Sequence, residues 1–232
     1  MQANIVKYSH NYAKQESYMG KWFNLDSPIM MGLSRLADMF FLSVMWLVCC
    51  LPIITIGPST TAMYYVALKW ARKDEVKISA AFFDAFKKNF KQGVVLNLIF
   101  LVVGIVLGLD YLIMSAQEST YGAISSICFL VMGVWLLGIM FYAYPLQAQF
   151  YNTIRQTLIN AAQLAVTKFP ITVVVFITNL FPVIIGLISF ELLIRTAPVW
   201  VLLAPGATAF LNAKLFAKMF DRFIEEAQTK TE

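Results

Sequence analysis

Apolar residues fill six segments of this chain, and each run ends on polar, proline or glycine punctuation. The first opens at Ser27-Pro28, an N-cap residue followed by proline at the first helical position, and predicts a helix from Pro28 to about Leu51. That length suffices for a hydrocarbon core of about 30 Å. Pro52 and Gly57-Pro58 then break the pattern, and a shorter helix is predicted from Ser59 to Arg72. Further apolar runs cover Gly93 to Met114, Tyr121 to Tyr144, Pro170 to Phe190, and Pro198 to about Phe216. Two stretches between runs have a different period. In Ser79–Gln92 the residues Phe82, Phe83, Phe86 and Phe90 recur at helical spacing, while Asp84, Lys87, Lys88 and Lys91 take other faces. Tyr151–Lys168 holds the equivalent place before the fifth run and is less charged.

Composition turns these runs into membrane spans. The chain has 232 residues, 59% hydrophobic and 13% charged, with mean hydropathy +0.70. Soluble domains are about 45–50% apolar and about 25% charged, so this chain lacks the charge to cover a soluble surface of its size. The fold class expected is an all-α polytopic transmembrane bundle. Residues 1–27 form a polar N-terminal segment, 28–222 a single transmembrane domain, and 223–232 a C-terminal tail. The polar start argues against a cleaved signal peptide.

Charge placement gives the orientation. Of the 18 basic residues, all except Arg195 fall before or at the start of the first run, between the second and third, between the fourth and fifth, or within and after the end of the sixth. Assigned to the cytoplasm by the positive-inside rule, they predict six crossings of a bacterial cytoplasmic membrane with both termini inside. The chain must leave and return between Arg35 and Arg72, and Pro52–Pro58 is where it turns. A re-entrant half in place of the second crossing satisfies the same charges, so five spans plus a half-span stays open.

Candidate chemistry is sparse. No HExxH, P-loop, GxSxG or clustered His and Cys occurs. No catalytic, cofactor or metal site is expected, nor any nucleic-acid partner. Cys49, Cys50 and Cys128 sit in apolar runs and read as reduced core thiols; His10 lies alone in the polar N-terminal segment. Polar residues inside or beside the spans are costly and hence informative. Arg35 and Asp38 are spaced to form an ion pair near the start of the first helix, and Asp110 sits close enough to the outer surface to snorkel. Asn97 and Asn179 can bond between helices or face a cavity. At the break, Ser59, Thr60 and Thr61 beside Pro52, Gly57 and Pro58 can satisfy carbonyls freed by the turn. The helix with Phe82, Phe83, Phe86, Lys87 and Phe90 either lies at the membrane interface or docks a cytoplasmic partner.

Shifted against itself without gaps, the chain pairs Met63 with Met140, Tyr65 with Tyr142 and Ala71 with Ala148. A second shift pairs Pro58 with Pro205, Thr61 with Thr208 and Ala62 with Ala209. Both join runs that cross in the same direction, as a repeated hairpin would.

Three stretches carry a family resemblance: Asp26-Ser27-Pro28, Leu51-Pro52-Ile53-Ile54-Thr55-Ile56-Gly57-Pro58-Ser59-Thr60-Thr61-Ala62-Met63-Tyr64-Tyr65, and Asn89-Phe90-Lys91-Gln92. With Tyr144-Pro145-Leu146-Gln147-Ala148-Gln149-Phe150 and Phe169-Pro170, they resemble the YesL-like family of small bacterial integral membrane proteins. Gln149 stands where that family usually has arginine. The resemblance implies a Gram-positive setting beside carbohydrate ABC importers and no established activity. The expectation is therefore a non-enzymatic accessory component that binds importer permease subunits, with homo-oligomers allowed. The alternative is a stand-alone small-solute transporter built on repeated hairpins. The Glu-Ala-Ala loop of ABC permeases is missing, since Ala80-Ala81 lacks the preceding glutamate.

Overall fold

The computed structural model describes residues 28–229. His10, the cap Ser27 and the rest of the N-terminal segment lie outside them. The described elements are all helical: α1 (Pro28–Cys49), a single 3-10 turn (Ile53–Thr55), α2 (Ile56–Ala71), α3 (Ile78–Ser115), α4 (Thr120–Gln149), α5 (Ile154–Thr167), α6 (Phe169–Ile188), α7 (Phe190–Leu202) and α8 (Ala204–Thr229). Three of them, α1, α3 and α4, are long and apolar enough to cross a membrane. The count reaches five if α5–α6 and α7–α8, bent by 100° and 65°, are each one span.

Neighbouring helices run back along one another. Trp46 of α1 meets Thr60 of α2, while Arg35 lies over Trp70. Gly57 of α2 meets Gly93 of α3, Asn97 of α3 meets Tyr144 of α4, and Tyr142 of α4 meets Thr172 of α6. Thr178 of α6 meets Asn212 of α8, and Lys168 meets Phe223. Hence α2, α4 and α8 share one direction. They are the helices joined by the two sequence shifts, and Pro58 and Pro205 each fall in the first turn of a helix that restarts after a break.

The core surrounds α2. That helix has only 16 residues, about 24 Å at about 1.5 Å per residue, and most of its side chains are buried. Phe216 of α8 packs edge-on against both Tyr64 of α2 and Tyr142 of α4, with ring centroids 6.1 and 5.2 Å apart. Gly57 and Gly93 let the α2 and α3 backbones touch. A Cβ on Gly93 would come within 2.8 Å of Pro58 Cα, too close for any side chain.

The two hairpins reach different heights. The break after α1 lies level with Asn97, whose Nδ2 donates to the Ile53 carbonyl at 2.9 Å. The same α3 continues to Ser115, about 27 Å farther by helical rise. Beyond Asn97, α3 and α4 present mostly exposed apolar side chains, among them Val102, Ile105, Leu109, Val131 and Trp135. The packed core thus occupies the end that carries the basic residues, and apolar hairpins extend from it.

Two sequence expectations change here. Ser79–Gln92 is not a separate amphipathic helix. It is the first third of the 38-residue α3, continuous with the span, because no glycine, proline or cap interrupts Phe90–Val95 strongly enough to stop it (Gly93 is absorbed by packing). The predicted loop Glu191–Ala197 is also helical. It lies in α7, capped by Ser189 accepting from Leu192 N, with Arg195 paired to Glu191 one turn earlier. The sixth run therefore bends at Leu203 instead of starting at Pro198. The break falls at residues 50–55, within and just before the predicted stretch, and α2 already includes Gly57 and Pro58; the turn after Ser115 falls where the third run ends, and Pro28, the first described residue, is already helical. Helix α8 runs through Phe223 to Thr229, past the expected start of the tail.

Candidate functional site

The break between α1 and α2 is built by hydroxyls. Thr55 Oγ1 lies 2.6 Å from the Cys49 carbonyl and 2.7 Å from that of Pro52, and donates to this pair. Ser59 Oγ donates to Thr55 O at 2.6 Å. These bonds bring side-chain donors to carbonyls at the turn, as in local capping; the Pro52 carbonyl also accepts from Thr55 N at 3.0 Å. Thr60 and Thr61 act differently. Thr60 accepts from Trp46 Nε1 at 3.1 Å. Thr61, fully buried, bonds Gln147 Oε1 of α4 at 3.2 Å.

The break between α7 and α8 is tied to α1. Ser43 Oγ accepts from Gly206 N at 2.8 Å and donates to Met39 O at 2.9 Å. A side chain on Gly206 would collide with the Met39 carbonyl, so glycine is required at this crossing.

Between the two breaks lies a cavity of about 320 Å³. Its polar walls are Thr60, Asn97, Tyr144, Asn179 and Thr208. Trp46, Phe141 and Trp200 supply much of the apolar surface. Asn97 is largely committed, since its Nδ2 holds Ile53 O and its Oδ1 accepts from Tyr144 at 3.3 Å. Asn179 donates to Val175 O at 2.8 Å, which leaves its amide oxygen free to face the cavity. No charged side chain is found among the described lining residues. Such a space suits an uncharged molecule, because a buried ion without a partner is strongly disfavoured.

The structure thus brings together Asn97 and Asn179 with the first turn after Pro58. It leaves the other candidates elsewhere. Asp110 lies on the extended part of α3, near neither break. Arg35 and Asp38 line a separate cleft with Asp74 and Glu75 at the basic end. They do not form an ion pair; Arg35 sits 5.9 Å from the Trp70 ring centroid. The aromatic strip is divided. Phe82 is 0% exposed and belongs to the core, Phe86 is half-buried, and Phe83 at 47% remains outside with Phe90 and Lys87. These five residues therefore do not form one docking face.

Several residues that tie the helices together outside the cavity lining escaped the sequence reading. Asn212, fully buried, accepts from Thr178 Oγ1 at 2.8 Å, and its amide nitrogen has no partner among the described residues. The rule that singles out amides inside apolar runs selects Asn212 as readily as Asn97. At the basic end Arg72 reaches Asp221 at 2.7 Å and Gln149 at 2.8 Å, which joins the ends of α2, α8 and α4. Gln149 serves as a neutral acceptor for that guanidinium.

Comparison with known proteins adds one family. A family model described as a protein of unknown function, DUF624, matches residues 39–111. The matched segment holds the first break, α2 and Asn97, and so one side of the cavity; Asn179 and the second break lie beyond it. No curated protein and no solved structure is significantly similar to the chain.

Proposed function

We propose that this is a bacterial cytoplasmic-membrane protein, related to the YesL-like proteins, that binds and moves a small uncharged solute through the cavity between its two helix breaks. One observation carries this reading: Asn97 and Asn179, from different spans, converge on a cavity where two helices restart. Transporters commonly place binding sites at broken helices between structural repeats, and the Pro58 and Pro205 helices have that relation. In this reading both termini face the cytoplasm, with the basic end. The α1–α2 hairpin enters from that side and turns within the bilayer, while α3, α4, α6 and α7–α8 cross it. The test is equilibrium binding and proteoliposome uptake of a panel of neutral polyols, sugars and amides. Saturable uptake of a panel member, reduced at least tenfold in Asn179→Leu, is expected. A panel without saturable binding, or an Asn179→Leu variant equal to wild type, sinks the reading.

A second reading, an accessory component of a carbohydrate ABC importer, is favoured by Phe83, Lys87 and Phe90 standing exposed at the basic end of α3. Capture of the native complex with permease subunits, lost in Phe83→Asp, supports it. A monomer in mild detergent without companions removes it.

A further inference from the structure

A second cavity, of about 660 Å³, is remote from the two breaks. It lies at the basic end, under the corner where α5 turns by 100° into α6. Its floor is apolar, formed by Leu146 and Phe150 of the α4 end, Leu164 of α5 and Phe223 of α8. Its rim is polar: Asn160, Gln163, Thr167 and Lys168 from α5 and the corner. Lys168 is half-buried, with its ammonium 5.6 Å from the Phe223 ring centroid. It takes part in none of the ion pairs among the described residues, and no carboxylate is found among the described lining residues. The surroundings place the cavity at the edge of the apolar region. Ile159, Val166 and Phe169 are exposed beside it, as on an amphipathic helix lying in a membrane interface. The corner is held firmly, because Thr172 Oγ1 donates to Ala165 O at 2.9 Å and pairs with the buried Tyr142 hydroxyl.

We propose that this cavity is a binding site for the headgroup of an anionic glycerophospholipid. The phosphate sits on Lys168 and the amide donors of Asn160 and Gln163, and the acyl chains leave past Val166 and Phe169. A cation paired with none of the described carboxylates, at the rim of an apolar floor, complements an anionic amphiphile; a neutral lipid leaves that charge uncompensated, and a zwitterionic one brings a second cation with its phosphate. Occupancy locks the α5–α6 corner against α4 and α8.

Native mass spectrometry of the full chain, released from nanodiscs of equal phosphatidylglycerol and phosphatidylcholine, tests the site. Wild type is expected to retain one phosphatidylglycerol with a preference of about fivefold, the increment of one basic residue at a membrane surface. Lys168→Gln abolishes the preference, Lys168→Arg restores it, and Lys218→Gln, on an exposed residue outside the cavity, leaves it intact. Excess inorganic phosphate does not displace the lipid. Equal retention of the two lipids, an unchanged preference in Lys168→Gln, or displacement by phosphate alone overturns the proposal. Loss of preference in Lys218→Gln as well would show only diffuse attraction and overturn it too.

Discussion

Asn97 donates to the Ile53 carbonyl, which also accepts from Ile56 N, and accepts from the Tyr144 hydroxyl, so it joins the break to α4. Replacing it by leucine removes one donor from that carbonyl and leaves the buried Tyr144 hydroxyl without its acceptor, at a cost of about 1–3 kcal/mol. The expected result is a lower thermal midpoint for Asn97→Leu in detergent, with Asn97→Gln intermediate. An unchanged midpoint for the leucine variant would show that the bond contributes nothing. The sequence makes Asn97 visible because an amide in an apolar run has few reasons to be there. It could not show the partner, which depends on how far α3 slides along the turn. The same limit applied to Thr61. Its neighbours suggested a local cap, yet its bond goes to Gln147, far along the chain but one helix away in space.

At the scale of elements, periodicity located apolar runs well and their ends poorly. Hydropathy falls within Ser79–Gln92, so the run looks as if it starts at Gly93, but backbone hydrogen bonding is indifferent to that change and α3 passes straight through. Likewise Glu191 and Arg195 resemble loop residues until they are seen as an i,i+4 pair on a helix. The continuity of α3 has an energetic consequence. Phe82 is locked in the core by α3 itself and stacks near Phe86 with centroids 6.3 Å apart. Phe82→Ala should cost about 3–5 kcal/mol, as for other buried aromatic truncations. Phe83→Ala, on the exposed side of the same turn, should stay within about 0.5 kcal/mol. Urea or thermal unfolding of the two variants in one detergent measures the contrast. Equal losses would mean that the strip forms a single surface after all.

For the whole molecule, the lopsided placement of lysine and arginine predicts which helix ends share one side. The shared direction of α2, α4 and α8 and the three-way contact of Arg72, Asp221 and Gln149 fit that pattern. Depth was not legible, since hydropathy counts residues along a run and says nothing about the level at which two hairpins are stapled together. Single cysteines in a background lacking Cys49, Cys50 and Cys128 test it. With an impermeant maleimide on oriented cells, Lys88→Cys should label only after the cytoplasmic face is opened, and Gln117→Cys from outside. Ile54→Cys, at an exposed site on the break, should resist the reagent from both faces. Labelling of Ile54→Cys together with Gln117→Cys from outside would restore a full crossing for α2.

The unequal reach of the hairpins gives the molecule a taper. Around the basic end α1, α2, α5 and α8 surround α3 and α4, whereas past Asn97 the α1–α2 hairpin has ended. In the membrane placement proposed above, lipid tails fill the room beyond Leu51 and Ile54, and the protein displaces more area from one leaflet than from the other. Such a wedge favours membranes bent toward its narrow side, and many copies in one patch would impose that bend themselves.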